Sequence, residues 1–172
     1  MKFLNTLAIF VALSLPALAT PIESQDAISL EERTHFVTCK PKLNGKEKHF
    51  KVDLAFAQRQ AEKAGKIPFG KGYETPKSGF PSRYHKGDHI RWGVHGCDTK
   101  SLQYQYPIYW DGKNNKWESD VAADKQKGGH TPLRVVFCKL GDSKKYLRFC
   151  GVMTYTEVND KNEGSGAFVK CN

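Results

Sequence analysis

The pattern of apolar and polar positions changes character several times along the chain. Between Leu7 and Leu15 it is an apolar run broken only by Ser14, preceded by Lys2 and closed by Pro16 and Ala17-Leu18-Ala19. This run is too short to span a hydrocarbon core, and it ends in the small residues a signal peptidase accepts. It predicts a cleavable secretory signal over residues 1–19 rather than a membrane anchor. Residues 20–34 are polar and acidic without a period, which predicts a flexible extension. Residues 35–172 then form the body of the protein, long enough for one domain with a core of its own.

Within that body, His35 to Cys39 reads as a short strand, and Pro41 to Lys48 as a lysine-rich loop turning at Asn44-Gly45. Leu54, Ala57, Ala61 and Ala64 recur at helical spacing. They predict a helix over Asp53 to Ala64, with Asp53 as N-cap and Gly65 as its stop. A stripe made mostly of alanine suits a helix lying close against a sheet. Gly65 to Gly87 is rich in Gly, Pro, Lys and Tyr and reads as a long surface loop. Ile90, Trp92 and Val94 then alternate with polar neighbours, which predicts a strand over His89 to Val94. Leu102 to Tyr109 is a second strand, followed by a polar loop over Asp111 to Thr131. Leu133 to Leu140 and Tyr146 to Thr156 predict a hairpin of buried strands, and Ala167 to Cys171 a last one. One helix followed by antiparallel strands is an α+β arrangement, with the helix on one face of a twisted antiparallel sheet.

Charge narrows the partners. The formal net charge is +9. Leaving out the signal and the acidic stretch 20–32 gives 26 bases against 14 acids. Such a domain is drawn to polyanions such as RNA, DNA, anionic lipid or an acidic protein face, although charge alone also serves solubility. Five cysteines, Cys39, Cys97, Cys138, Cys150 and Cys171, predict disulfides in a secreted chain with one thiol left over.

Arg134 interrupts the apolar run Leu133-Arg134-Val135-Val136-Phe137. A guanidinium there either faces solvent or serves an anion site such as phosphate. His85, His89, His95 and Cys97 have spacings that zinc ligands use, but match no standard ligand order, and no metal or other cofactor is expected. Tyr104, Tyr106, Tyr109 and Trp110, with Tyr73, Phe80 and Tyr84, either stack nucleic-acid bases or fill the core and its rim.

Taken in order, Phe80-Pro81-Ser82-Arg83-Tyr84, Gln105-Tyr106-Pro107-Ile108, Arg134-Val135-Val136-Phe137, Gly151-Val152-Met153-Thr154-Tyr155-Thr156 and Phe168-Val169-Lys170-Cys171 resemble fungal ribonucleases of the T1/F1 (N1/T1) type. The resemblance covers His35 to the C-terminus. That family cuts RNA by transesterification at the 2′-hydroxyl, using a glutamate base, a helper histidine, an acid histidine and an arginine against the phosphate. Position by position, the resemblance places Gln105 at the base, Ser82 at the helper histidine and Tyr155 at the acid. Phe80 stands where the family has a tyrosine, while Arg134 and Phe168 are kept. An amide cannot accept the proton, and a phenol is a far weaker acid than an imidazolium. These degenerate positions predict a chain that is not an enzyme by the standard route.

Tyr84, Lys86, Arg134 and Phe168 are the candidate RNA-binding residues. The resemblance also implies a Cys39–Cys171 disulfide. Cys138 and Cys150, on facing hairpin strands, are the next expected pair, leaving Cys97 free. The combination resembles the RNase-like secreted effectors of plant-pathogenic fungi, of powdery mildew type. It implies a monomeric, non-catalytic protein without a membrane partner, binding RNA (host ribosomal RNA among the candidates) or a host protein, with translocation into a host cell. A third reading is a weak guanyl-preferring ribonuclease whose chemistry has moved to His85, His89 or His130.

Overall fold

The structure, a computed structural model, describes residues 35–98, 101–139 and 147–172. The expected signal, the acidic extension and the hairpin turn at 141–145 lie outside the described residues. Nine strands and one α-helix make up the described body: β1 (Phe36–Cys39), β2 (Lys42–Leu43), β3 (Lys46–Glu47), β4 (Phe50–Asp53), α1 (Leu54–Lys66), β5 (Ser82–Tyr84), β6 (Gln103–Pro107), β7 (Leu133–Lys139), β8 (Leu147–Val158) and β9 (Gly164–Lys170). β1 and β4 form a two-stranded antiparallel ribbon, while the main sheet runs β3-β2-β8-β7-β6-β5 with β9 also on β8. The sheet is mixed, because β2 meets β8 in parallel at Lys42 and Glu157. Among the described residues no helix is long and apolar enough to cross a membrane.

α1 forms where the alanine stripe predicts it. The Asp53 carboxylate accepts from the backbone N–H of Ala55 and Phe56 at 2.7 and 3.2 Å, satisfying two donors that the first turn leaves open. Gly65 does not stop it. The helix continues to Lys66 and ends at Ile67, whose extended backbone is what Pro68 requires of its predecessor. A Cβ at Gly65 would run into the Leu147 side chain, so glycine here lets the last helical turn lie against the sheet.

Cross-strand register decides which residues share a face, because paired residues point the same way and the period is two. Leu133, Val135 and Phe137 turn to α1 and join Phe50, Val52, Ala57, Ala61, Ala64, Tyr106 and Ile108 in the larger core. The other face carries two rows: Ser82, Gln105, Val136 and Gly151, then Pro107, Arg134, Met153 and Lys170. Tyr155 and Phe168 pair beside them. A smaller core of Tyr84, Trp92, Cys97, Val136, Cys138, Cys150 and Met153 covers part of this second face.

The expected strand His89 to Val94 does not form. His89 and Gly93 both take positive φ, 54° and 72°, which bends the segment out of any ladder. Its alternation is nevertheless physical. Trp92 is buried against Gly151, whose missing side chain lets the indole lie 3.0 Å from where a Cβ would sit. The Asp98 carboxylate accepts from Trp92 N and Gly93 N at 2.8 Å each, holding the loop on the sheet. Conversely, β5 arises inside the expected long loop, and β2, β3 and β4 in and beside the lysine-rich one, closed by the predicted Asn44-Gly45 turn (φ 52° and 78°).

Cys39 is joined to Cys171, tying β1 to the C-terminus. The expected Cys138–Cys150 pair is corrected. Cys150 bonds Cys97 from the Trp92 loop, and Cys138 is the buried free thiol. The cause is register: Cys138 lies opposite Arg148, and a bulge at Val136/Phe137 offsets Cys150 from it.

Candidate active site

Arg134 is the centre of the second face. It is 9 % exposed. It is the second residue of β7, and its Nη1 donates to the carbonyls of Thr131 and Leu133 at 2.7 and 2.8 Å. Its Nε is buried without a hydrogen-bond partner. Two rings flank the guanidinium, Phe80 at 5.1 Å and Tyr155 at 5.8 Å from ring centroid to Cζ. Of the two sequence readings, the solvent-facing arginine is therefore excluded. Burial pulls its pKa down to about 10, so it keeps its charge at neutral pH. A buried cation with an unpaired donor between aromatic walls has hydrogen-bonding capacity left that an anion could use.

The aromatic wall continues away from Arg134. Tyr155 stacks on Phe168 with centroids 4.0 Å apart, and Phe168 meets Tyr84 edge-on at 6.1 Å. Gly164 makes room for this stack, since a Cβ there would strike the Tyr155 ring. Tyr84 is buried, and its hydroxyl donates to Asp88 at 3.3 Å. Burial and Asp88 together push that phenol well above its usual range. Ser82 and Gln105 are cross-strand neighbours on the same face, and Gln105 Oε1 is buried without a partner. The five positions singled out by sequence, Ser82, Gln105, Arg134, Tyr155 and Phe168, thus lie on one face of one sheet. Lys86 lies apart, in the loop after β5, where it lines a cavity of about 510 Å³ with His89, Arg91 and Cys97.

Other candidates are placed elsewhere. Tyr106 and Tyr109 are 1 % exposed, and their hydroxyls donate to Trp117 and Gly129 carbonyls at 2.9 and 2.8 Å. They are core residues that anchor the loop 111–131 and offer no ring for a base. Gln126 braces the same loop through bonds to Glu118 and Val121. Cys97 is held in its disulfide and is not available to a zinc ion with the loop histidines.

One pair has no advance signal in the sequence. His130 Nε2 lies 3.1 Å from Glu163 Oε1, joining the segment that leads into β7 to the β8–β9 turn. His130 immediately precedes Thr131, whose carbonyl holds the Arg134 guanidinium. His130 is among the residues to which the third sequence reading moves the chemistry; its partner Glu163, in the β8–β9 turn, is not.

No family model and no curated protein sequence matches the chain. Solved structures do. The chain is similar to hirsutellin A from Hirsutella thompsonii in solution, with 51% identity and a TM-score of 0.65 over 80% of this chain and 98% of that one. It belongs to the fungal ribotoxins of the RNase T1-like family. Restrictocin, a highly specific Aspergillus ribotoxin, shares the fold at 20% identity and a TM-score of 0.52, over 80% of this ribotoxin-family chain and 99% of its own.

This membership corrects the expectation that the chain is not an enzyme. Hirsutellin A, 51% identical, is a ribotoxin, an RNA-cleaving relative that points to enzymatic activity.

Proposed function

We propose that this chain is a secreted ribonuclease of the ribotoxin family that binds RNA on the Arg134 face and cleaves it there. The observation that supports this reading most is the buried guanidinium with its unpaired Nε, walled by Phe80 and Tyr155. A phosphodiester set against Arg134 gains a charge-assisted hydrogen bond, and the charge that develops on phosphorus in the transition state strengthens it. The basic balance of the domain draws RNA to the face, and the stack of Phe168 on Tyr155 gives a flat wall beside the phosphate.

Proton transfer falls to other groups than the family's glutamate and histidines. Gln105 orients the attacking 2′-hydroxyl by donating its amide N–H to the 2′-oxygen, which leaves the hydroxyl proton free for the base. His130, held by Glu163 and next to the Thr131 whose carbonyl holds Arg134, supplies the base. The Tyr155 hydroxyl donates to the leaving 5′-oxygen. The products are a 2′,3′-cyclic phosphate and a 5′-hydroxyl. A weaker acid and a displaced base each cost rate, within the roughly 10²- to 10⁴-fold such groups contribute.

The test is an RNA cleavage and binding assay on one preparation. Cleavage is expected at high enzyme concentration, lost in Arg134→Ala and His130→Ala and absent on a strand with 2′-deoxyribose throughout. Background-level cleavage by the unaltered chain overturns the catalytic reading. Salt-insensitive or absent RNA binding overturns the RNA face itself.

A further inference from the structure

Cys138 has no part in the reading above, yet it is not an isolated thiol. It is fully buried, and its Sγ lies 3.9 Å from Cys97 Sγ, itself bonded to Cys150. The three sulfurs lie within 4.8 Å of one another, with exposures of 0, 0 and 4 %. They come from three separate elements: Cys97 from the Trp92 loop, Cys138 from β7, and Cys150 from the bulge of β8. A tetrahedral zinc site needs sulfurs about 3.8 Å apart, from Zn–S bonds of about 2.3 Å. The Cys97–Cys138 contact already meets that, Cys138 and Cys150 lie within 4.8 Å, and the third contact requires that the Cys97–Cys150 bond be opened.

We propose that reduction of Cys97–Cys150 converts this cluster into a three-thiolate site for a thiophilic d¹⁰ cation, Zn²⁺ being the one committed to. In the first step two equivalents of a small thiol reduce the bond: two protein thiols form, and the reductant leaves as its own disulfide. In the second, Zn²⁺ binds Cys97, Cys138 and Cys150 and displaces their three protons. The thiolates and the ion together carry one net negative charge. Lys86, in the cavity that Cys97 lines, and Arg148, paired across the ladder with Cys138, place positive charge beside it. His89 and Asp98 line the same cavity, the route by which a fourth ligand, water or His89, reaches the ion. Structural zinc sites use this ligand chemistry to hold a loop in place. Here it would keep the Trp92 loop on the sheet after the covalent link is lost.

The experiment uses the full chain, reduced under argon with a water-soluble phosphine, which becomes its oxide with oxygen from water and does not compete as a thiol ligand. Co²⁺ and Zn²⁺ are the probes. One equivalent of Co²⁺ should bind the reduced chain with thiolate-to-cobalt charge-transfer bands, and Zn²⁺ should bleach them. The oxidised chain should give no such bands. Cys138→Ala, which keeps the other four cysteines, should bind Zn²⁺ at least tenfold more weakly and lose part of the charge-transfer intensity. Equal affinity in Cys138→Ala overturns the proposal. So does failure of the reduced chain to take up one equivalent, whether it stays folded or is unfolded and not refolded by Zn²⁺ in far-UV circular dichroism. These readouts do not involve RNA, so they stand or fall separately from the ribonuclease reading.

Discussion

At the residue scale, Arg134 separates what the fold wants from what the site wants. A buried guanidinium with an unpaired Nε costs desolvation that two backbone carbonyls only partly return. Replacement of such a charge by an apolar side chain of similar length is often neutral or stabilising, by about 1–4 kcal/mol. Arg134→Met is therefore expected to melt at or above the temperature of the unaltered chain while losing cleavage and most RNA affinity. Thermal unfolding and RNA titration on the same variant check this. A large drop in melting temperature would make Arg134 a structural residue.

The pH dependence follows in the same direction. With a folded pKa of about 10, below that of the unfolded chain, Arg134 is charged at neutral pH and its penalty on folding is relieved only as pH rises through about 10. A bound phosphate offsets that penalty at neutral pH, so short RNA should raise the melting temperature of the unaltered chain and leave that of Arg134→Met unchanged. Gly164 is the second such residue. Gly164→Ala should push Tyr155 off Phe168 and lower cleavage while sparing Arg134, visible as a fall in rate larger than the fall in RNA affinity.

At the scale of elements, the Trp92 loop shows how a correct pattern yields a wrong element. Ile90, Trp92 and Val94 do alternate in burial, but against the second face of the sheet rather than within a ladder. The signals that forbid a strand are positive φ at His89, in a turn closed onto the Lys86 carbonyl, and at Gly93, whose N–H Asp98 captures with that of Trp92 from five and six residues away. No local pattern announces such a contact. The helix is the opposite case, since its N-cap and alanine stripe are local and both formed. Its end was missed by two residues, because the close approach of Leu147 that explains Gly65 comes from β8. The face carrying Ser82, Gln105, Arg134, Tyr155 and Phe168 was legible through the resemblance, which picks those positions one by one without showing that they share a face. The His130–Glu163 pair was not, because it spans two segments whose proximity only the register creates.

Asp98 supplies this scale's prediction. Its carboxylate is held below its usual pKa, first by the Trp92 N–H and also by the Gly93 N–H, Lys170 and Arg91. A lowered folded value means the stabilisation is complete above the unfolded pKa, about 3.9, and fades as pH falls through the folded one. Asp98→Ala should loosen the 85–98 loop already at neutral pH. Limited proteolysis should cut the variant there first, and the unaltered chain only in acid. Equal cleavage of the two at neutral pH would remove Asp98 as the loop's anchor.

At the scale of the whole molecule, the Cys39–Cys171 bond acts on the unfolded chain more than on any contact in the folded one. It spans 132 residues of sequence and fastens the strand that opens the described body to the residue before its end. Among the described residues β1 pairs as a strand with β4, outside the main sheet, and Thr38 exchanges backbone hydrogen bonds with Asn172 beside the disulfide, so its link to the main sheet is short. Chain-entropy arguments assign a loop of this size close to 5 kcal/mol, and native disulfides in small domains typically contribute 2–5 kcal/mol. Cys97–Cys150 closes a loop of 53 residues and fastens an element that Trp92, Asp98 and Lys170 also hold. The two bonds therefore differ in kind. Cys39→Ala with Cys171→Ala should lower global stability by about 2–5 kcal/mol, read as a shifted midpoint in urea with all spectroscopic probes moving together. Cys97→Ala with Cys150→Ala should move the midpoint less and release Trp92 fluorescence separately from the far-UV signal. If both double variants shift the same midpoint by the same amount, the Trp92 loop belongs to the global unfolding unit and opens only with the sheet.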